Sequence, residues 1–212
     1  MSTIKVSAFR WVPPFAQGVV RDVRVRWALE EAGLPYEQRL LDQGEQKSAG
    51  YRSLQPFGQV PTYEEGNLVL FESGAIVMHI AARSEALLPA DPAAAARART
   101  WMFAALNTVE PYIQHLAELD LFYANEEWAK LRRPTAVEAV QMRLNELSTR
   151  LDGRDYLEDR FTAGDLLMTT VLRILRHTDL VAEMPALEAY RLRCEARPAF
   201  QKALADHMEA FG

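Results

Sequence analysis

The chain has 212 residues, 49% of them hydrophobic and 25% charged, with a formal net charge of -5. That is enough apolar material for one large or two modest cores, so a disordered chain is not expected. No basic block is longer than Arg132-Arg133, which argues against a nucleic-acid partner, since a run of phosphates needs a run of cations.

No apolar run approaches the ~20 residues that span a bilayer. The first residues, MSTIKVSAFRWVPPFA, lack the apolar region of a signal peptide. A cytoplasmic protein with no membrane contact is expected. Cys194 stands alone, so it forms no internal disulfide and no multi-cysteine metal site; within a helical pattern it reads as a packed thiol. His79, His115, His177 and His207 are scattered without a close ligand pair, and no metal is expected.

Ile4 to Phe9 alternates apolar and polar side chains as a first strand does, and Pro13-Pro14 ends any ladder there. A helix follows Gly18. Val20, Val23, Trp27 and Ala28 fall at helical spacing, and Arg21, Asp22, Arg24, Arg26, Glu30 and Glu31 occupy the other faces, the pattern of an amphipathic segment that stops at Gly33. Tyr36 to Leu41 reads as a second strand, which the crossover makes parallel to the first. From Asp42 to Gln59 the polar text with Gly44, Gly50, Pro56 and Gly58 predicts an irregular loop holding at most one short helix.

Phe57 to Ala82 reads as turn, strand, hairpin, strand, helix. Pro61 lacks a donor and marks the start of a strand, Glu65-Gly66-Asn67 is turn chemistry, and Leu68 to Phe71 is a short apolar run. Gly74 to Ala82 carries a helical pattern, so Glu72 and Ser73 fall at a helix entrance. Unpaired backbone N–H groups and the helix dipole favour a carboxylate there, while a neighbouring acid can pair with an ammonium. Such a corner suits a free α-amino-acid group. The plainer alternative is an N-capping serine and an edge-strand proline.

Pro89 and Pro92 mark a boundary, and everything beyond reads helical. Ala93 to Leu119 is rich in helix formers, with Pro111 expected to kink it. Pro134 suits the first position of a helix that ends near Asp152-Gly153. Thr162 and Asp165 are spaced as a capping box, with Phe161 and Leu166 as its staple. The apolar run Leu166 to Leu175 behind them predicts a central buried helix. The expected architecture is therefore α/β followed by all-α, a βαβ-ββα domain over 1–84 and a helical domain over 92–212.

Val60-Pro61 followed by Glu72-Ser73 resembles the glutathione-binding half of the glutathione transferase family. ALEEAGLPYE (28–37), LQPFGQVP (54–61), the Thr162 box and MPALEAYRLRCEARPAF (184–200) resemble its recurring text too. The resemblance implies a thioredoxin-like N-terminal domain, though without Cys-x-x-Cys. It also implies a homodimer and glutathione as co-substrate, whose γ-glutamyl end meets Glu72 and Ser73 while its cysteinyl unit pairs with Val60 before a cis Pro61, beside Gln59. The implied activity is thiolate attack on an apolar electrophile. A non-catalytic binding or regulatory protein of the same fold, or a glutathione-dependent peroxidase or isomerase, would carry the same residues.

The family usually activates the thiol with a Tyr, Ser or Cys after the first strand. Here that loop, Arg10 to Gly18, holds none of the three. The remaining donors are the Gln17 amide, the Trp11 indole, the Arg21 guanidinium and the backbone at the start of the first helix. Gln17 is the preferred side chain. A helix terminus supplies at most ~2 kcal/mol, so the expectation is weak turnover with common test electrophiles.

Overall fold

The alternation of Ile4, Val6 and Ala8 buries one face of the first strand and sets the position of everything around it. In the computed structural model, which describes residues 2–211, that strand is β1 (Ile4–Phe9), followed by α1 (Asp22–Ala32), β2 (Tyr36–Leu41) and α2 (Ala49–Arg52). Next come β3 (Tyr63–Glu65), β4 (Leu68–Leu70) and α3 (Ser73–Ala81). The helices beyond are α4 (Pro92–Phe103), α5 (Glu110–Leu121), α6 (Glu127–Leu151), α7 (Ala163–Leu172), α8 (Pro185–Glu195) and α9 (Pro198–Glu209).

The chain divides into two compact units, residues up to Pro89 together with those from Arg197 onward, and residues Ala90–Ala196. In the first unit the sheet order is β2-β1-β3-β4. β1 runs parallel to β2, with Ile4 opposite Tyr36 and Phe9 opposite Leu41, and antiparallel to β3. The β3–β4 hairpin turns on Gly66 at φ 62°, a conformation without steric cost only for glycine. The expected βαβ-ββα order is present, and the loop after β2 holds α2 and one 3-10 turn, Glu45–Lys47.

Two features of this unit depart from the sequence expectation. The amphipathic pattern of α1 suggests solvated charges, yet Asp22, Arg24 and Arg26 are all buried. For Asp22 and Arg26 the reason is α9, which the sequence reading keeps with the helical domain and which instead packs along α1, whereas Arg24 is turned to Ser73 of α3. Phe200 meets Trp27 edge to face at 4.8 Å, Arg197 pairs with Glu31 through two bonds of 2.6 and 2.8 Å, and His207 reaches Asp22 at 3.0 Å.

In the second unit α4 starts on Asp91, whose carboxylate accepts the Ala94 N–H at 2.7 Å. Pro111 does not break the chain. The six residues Ala104–Val109 widen into a π-helix that joins α4 to α5, absorbing the carbonyl that a proline four residues on cannot serve. Pro134 does not begin a helix either; it lies inside α6, on an exposed face where water can reach the freed carbonyl. α7 is buried along its whole length. A Cβ on Gly164 would lie 2.6 Å from the Trp101 Cβ, so only glycine permits this approach of α7 to α4.

The capping box at α7 is formed as its spacing predicts. Thr162 Oγ1 accepts the Gly164 N–H at 3.2 Å, and Asp165 Oδ2 accepts the Thr162 N–H at 2.8 Å. Asp165 Oδ1 takes the Leu157 N–H at 2.9 Å and the Tyr190 hydroxyl at 3.1 Å, which extends the cap into an anchor for the preceding loop and α8.

Candidate functional site

The segment Gln59–Thr62 is held against β1 by a saturated set of hydroxyl bonds. Tyr51 donates to the Gln59 carbonyl at 2.8 Å, so the Ser7 hydroxyl, 2.8 Å from the Tyr51 oxygen, must donate to it. Ser7 in turn accepts from the Thr62 N–H at 2.6 Å and the Thr62 hydroxyl at 3.0 Å. Burial raises the Tyr51 pKa above its ordinary value, which keeps the phenol a donor. The Val60–Pro61 bond is cis. Val60 is buried, and neither its N–H nor its C=O has a hydrogen-bond partner among the described residues, whereas such groups are nearly always paired. Gln59 is exposed, with only its carbonyl fixed.

At the entrance of α3, Ser73 is the first helical residue and Glu72 the flanking one. Neither acts as a cap: the Glu72 carboxylate is exposed and makes no capping bond, so the plain N-cap reading does not describe this corner. Glu72 has φ 66°, the one positive value at a non-glycine among the described residues. A bulky residue in that conformation costs energy and is typical of binding sites. Ser73 is buried, and its hydroxyl accepts from Arg24 Nη1 at 3.4 Å. A buried guanidinium thus stands behind first-turn N–H groups that no side chain caps, which adds to their attraction for an anion.

The loop from Arg10 to Arg21 leaves the C-terminal end of β1, the end where open parallel sheets hold their ligands. Gln17 is half-buried and donates through Nε2 to the Val12 carbonyl at 3.3 Å, which leaves its second amide hydrogen available. Trp11 is exposed and its carbonyl accepts from Gln43 at 2.8 Å. Arg21 is exposed.

The backbone donors expected to assist a thiolate are engaged elsewhere. The N–H groups of Ala16 and Gln17 bond to Pro13, that of Val19 to Ala16, and that of Gly18 to His207 Nε2 at 3.0 Å. The positive end of α1 is occupied as well, because Asp22 is its first residue and is buried there. Burial alone would raise the Asp22 carboxyl, but the hydrogen bonds from His207 and Arg26 outweigh it and hold the group below the usual carboxylate range.

Four participants escape the sequence reading: Ser7, Tyr51, Arg24 and His207. Asp22 and Arg26 at four-residue spacing offer a local hint of a pair. Nothing local announces a partner 185 residues away.

Residues 17–82 match the model of the glutathione S-transferase N-terminal domain, and residues 102–198 match that of the glutathione S-transferase C-terminal domain. Glutathione S-transferase 3 of Zea mays is 32% identical over 198 residues, spanning 86% of this chain and 88% of the relative. Among solved structures, a glutathione transferase of Burkholderia graminis with two glutathione molecules bound per subunit has TM-score 0.84 and 27% identity, covering 96% of this chain and 88% of that one. Glutathione transferase F7 of Populus trichocarpa has TM-score 0.83 and 25% identity, covering 97% and 99%.

Proposed function

Because this chain belongs to the glutathione S-transferase family, we propose that its N-terminal unit binds glutathione and presents the thiolate to a small apolar electrophile. The γ-glutamyl carboxylate meets the start of α3 and Ser73, and its ammonium pairs with Glu72. The cysteinyl unit pairs its backbone with the unpartnered groups of Val60 beside Pro61, flanked by Gln59. The thiol then faces the loop that carries Gln17. Its sulfur forms a bond to the electrophilic carbon as the leaving group departs with its electron pair. The reading includes a homodimer.

One observation carries this proposal: α3 begins without a side-chain cap, with an exposed carboxylate and a buried hydroxyl at its entrance and Arg24 behind them. A second reading, a glutathione-binding protein without turnover, draws support from the loop, which holds no Tyr, Ser or Cys between Arg10 and Gly18. Gln17 can donate to a thiolate but cannot remove its proton, so weak turnover is expected even under the first reading. A peroxidase or isomerase would use the same thiolate.

Calorimetry of glutathione binding to Glu72→Ala tests the site. Loss of a charged partner is expected to cost about 1.5 to 3 kcal/mol, roughly 10- to 150-fold in Kd. An unchanged Kd in a folded variant would remove Glu72 from the site.

A further inference from the structure

His207 lies on α9, far along the chain from the loop that faces the proposed thiol, and yet it is buried against that loop and bonded to it. Its Nε2 is 3.0 Å from the Gly18 nitrogen and its Nδ1 is 3.0 Å from Asp22 Oδ2. A backbone N–H can only donate, so Nε2 carries the lone pair and the ring proton sits on Nδ1, directed at the Asp22 carboxylate. The tautomer is thereby fixed by its two neighbours. Arg26 holds the same Asp22 oxygen at 2.7 Å, and Phe211 closes the ring edge to face at 4.9 Å.

We propose that His207 is a positioning residue for the thiol-facing loop, with Asp22 orienting the imidazole and the imidazole fixing the peptide that joins Gln17 to Gly18. The Gly18 N–H and the Gln17 carbonyl belong to one planar unit, so a hydrogen bond to the first sets the direction in which the chain leaves Gln17. Gly18 sits at φ 79°, a conformation that glycine reaches without steric cost but does not prefer over others, so the bond to His207 has a conformation to select there. The cluster is also a poor stabilising device. Asp22 Oδ1 and Arg26 Nη1 are buried without a hydrogen-bond partner among the described residues, and a half-satisfied buried ion pair adds little or nothing to stability. Its geometry is better matched to fixing one peptide plane than to holding two helices together.

This inference rests on the glutathione reading, and two substitutions separate the arms of the imidazole. Asparagine reaches only the Nδ1 position, so His207→Asn keeps a donor for Asp22 and loses the acceptor for Gly18. Glutamine reaches the Nε2 position, so His207→Gln keeps the acceptor. The apparent pKa of the bound thiol, read from thiolate absorbance, is compared with kcat and with glutathione Kd in all three proteins. His207→Asn is expected to raise the thiol pKa and lower kcat about tenfold or more, within the ~100-fold that small misplacements cost, with Kd changed less than about twofold. His207→Gln is expected to restore both.

Equal thiol pKa values in the wild type and both variants would overturn the proposal, and so would a glutamine variant as impaired as the asparagine one. Absence of glutathione binding in the wild type would overturn the site reading and the proposal together. Amide exchange at Gly18 in the wild type gives an independent answer should a variant fail to fold. Strong protection there is expected, and exchange at the rate of an open chain would overturn the contact.

Discussion

Two aspartates stand fully buried in the first turn of a helix, Asp22 in α1 and Asp165 in α7, and they are held in opposite ways. Asp165 receives the N–H groups of Leu157 and Thr162 and the hydroxyls of Thr162 and Tyr190, all neutral donors. Burial outweighs them, and its carboxyl is pushed above the ordinary range. Asp22 is equally buried, but hydrogen bonds from Arg26 and His207 overcome the desolvation and leave it below that range. Neutral donors satisfy a buried carboxylate; at Asp22 the charge of the Arg26 guanidinium adds to the imidazole hydrogen bond and favours ionisation.

The comparison predicts its largest effect at Asp22. Asp22→Ala leaves Arg26 fully buried with only neutral groups, Gln38 at 3.1 Å and the Tyr36 phenol, beside it in place of a carboxylate. Breaking a buried pair by removing one member costs about 3 to 5 kcal/mol. Denaturant titration, with amide exchange along α1 as a local readout, should show that loss. A cost below ~1 kcal/mol would mean that the charge of Arg26 is satisfied without Asp22, and the contrast between the two aspartates would fail.

The same two sites mark how far the sequence is legible. The Asp165 cap depends on residues three positions apart, and Thr162-x-x-Asp165 announces it. The Glu72-Ser73 corner is local too: strand, turn and helix signals around it bring the pair to the entrance of α3. Asp22 and Arg26 are misread as an outer face of α1, because what covers them is α9, and no spacing rule links residue 22 to residue 207; Arg24 is misread because it meets Ser73 of α3. The return of α9 to the first unit is announced by no local pattern. Pro134 fails for a related reason. A proline on the solvent face of a helix costs less than its sequence rule assumes, because water replaces the lost partner.

Acid sharpens the comparison through opposite signs. Asp22 has a folded pKa below its unfolded value, so its contribution is full above ~3.9 and is lost as pH falls through the folded value. Asp165 has a folded pKa above its unfolded value, so its ionisation costs stability as pH rises from ~3.9 through the folded value. Unfolding midpoints from pH 7 to pH 3 should therefore fall less steeply below about pH 4 in Asp22→Asn than in the wild type. Asp165→Asn should lack the gain that the wild type draws from protonating this group above that pH. Profiles for both variants parallel to the wild type would show that neither carboxyl is coupled to folding.

The smallest effect expected is at Thr162, and it tests whether the neutral network depends on each of its members. Thr162 is fully buried at the N-cap of α7; its oxygen accepts from Gly164 and its proton goes to Asp165 at 3.1 Å. Thr162→Ala orphans the Gly164 N–H and removes one of the four donors on a carboxylate that burial already disfavours. The loss of a cap costs about 0.5 to 2 kcal/mol. For a chain of this size that is a fall of roughly 1 to 8 °C in Tm. Thr162→Ser keeps the oxygen and should recover most of the loss, which separates the hydrogen bonds from the methyl packing. Glutathione Kd should be unchanged in both variants, since neither Thr162 nor its partners belong to the Glu72-Ser73 corner. A wild-type Tm in Thr162→Ala would mean that Asp165, through its remaining donors, caps α7 alone, and the box would then be redundant where the Asp22 cluster is not.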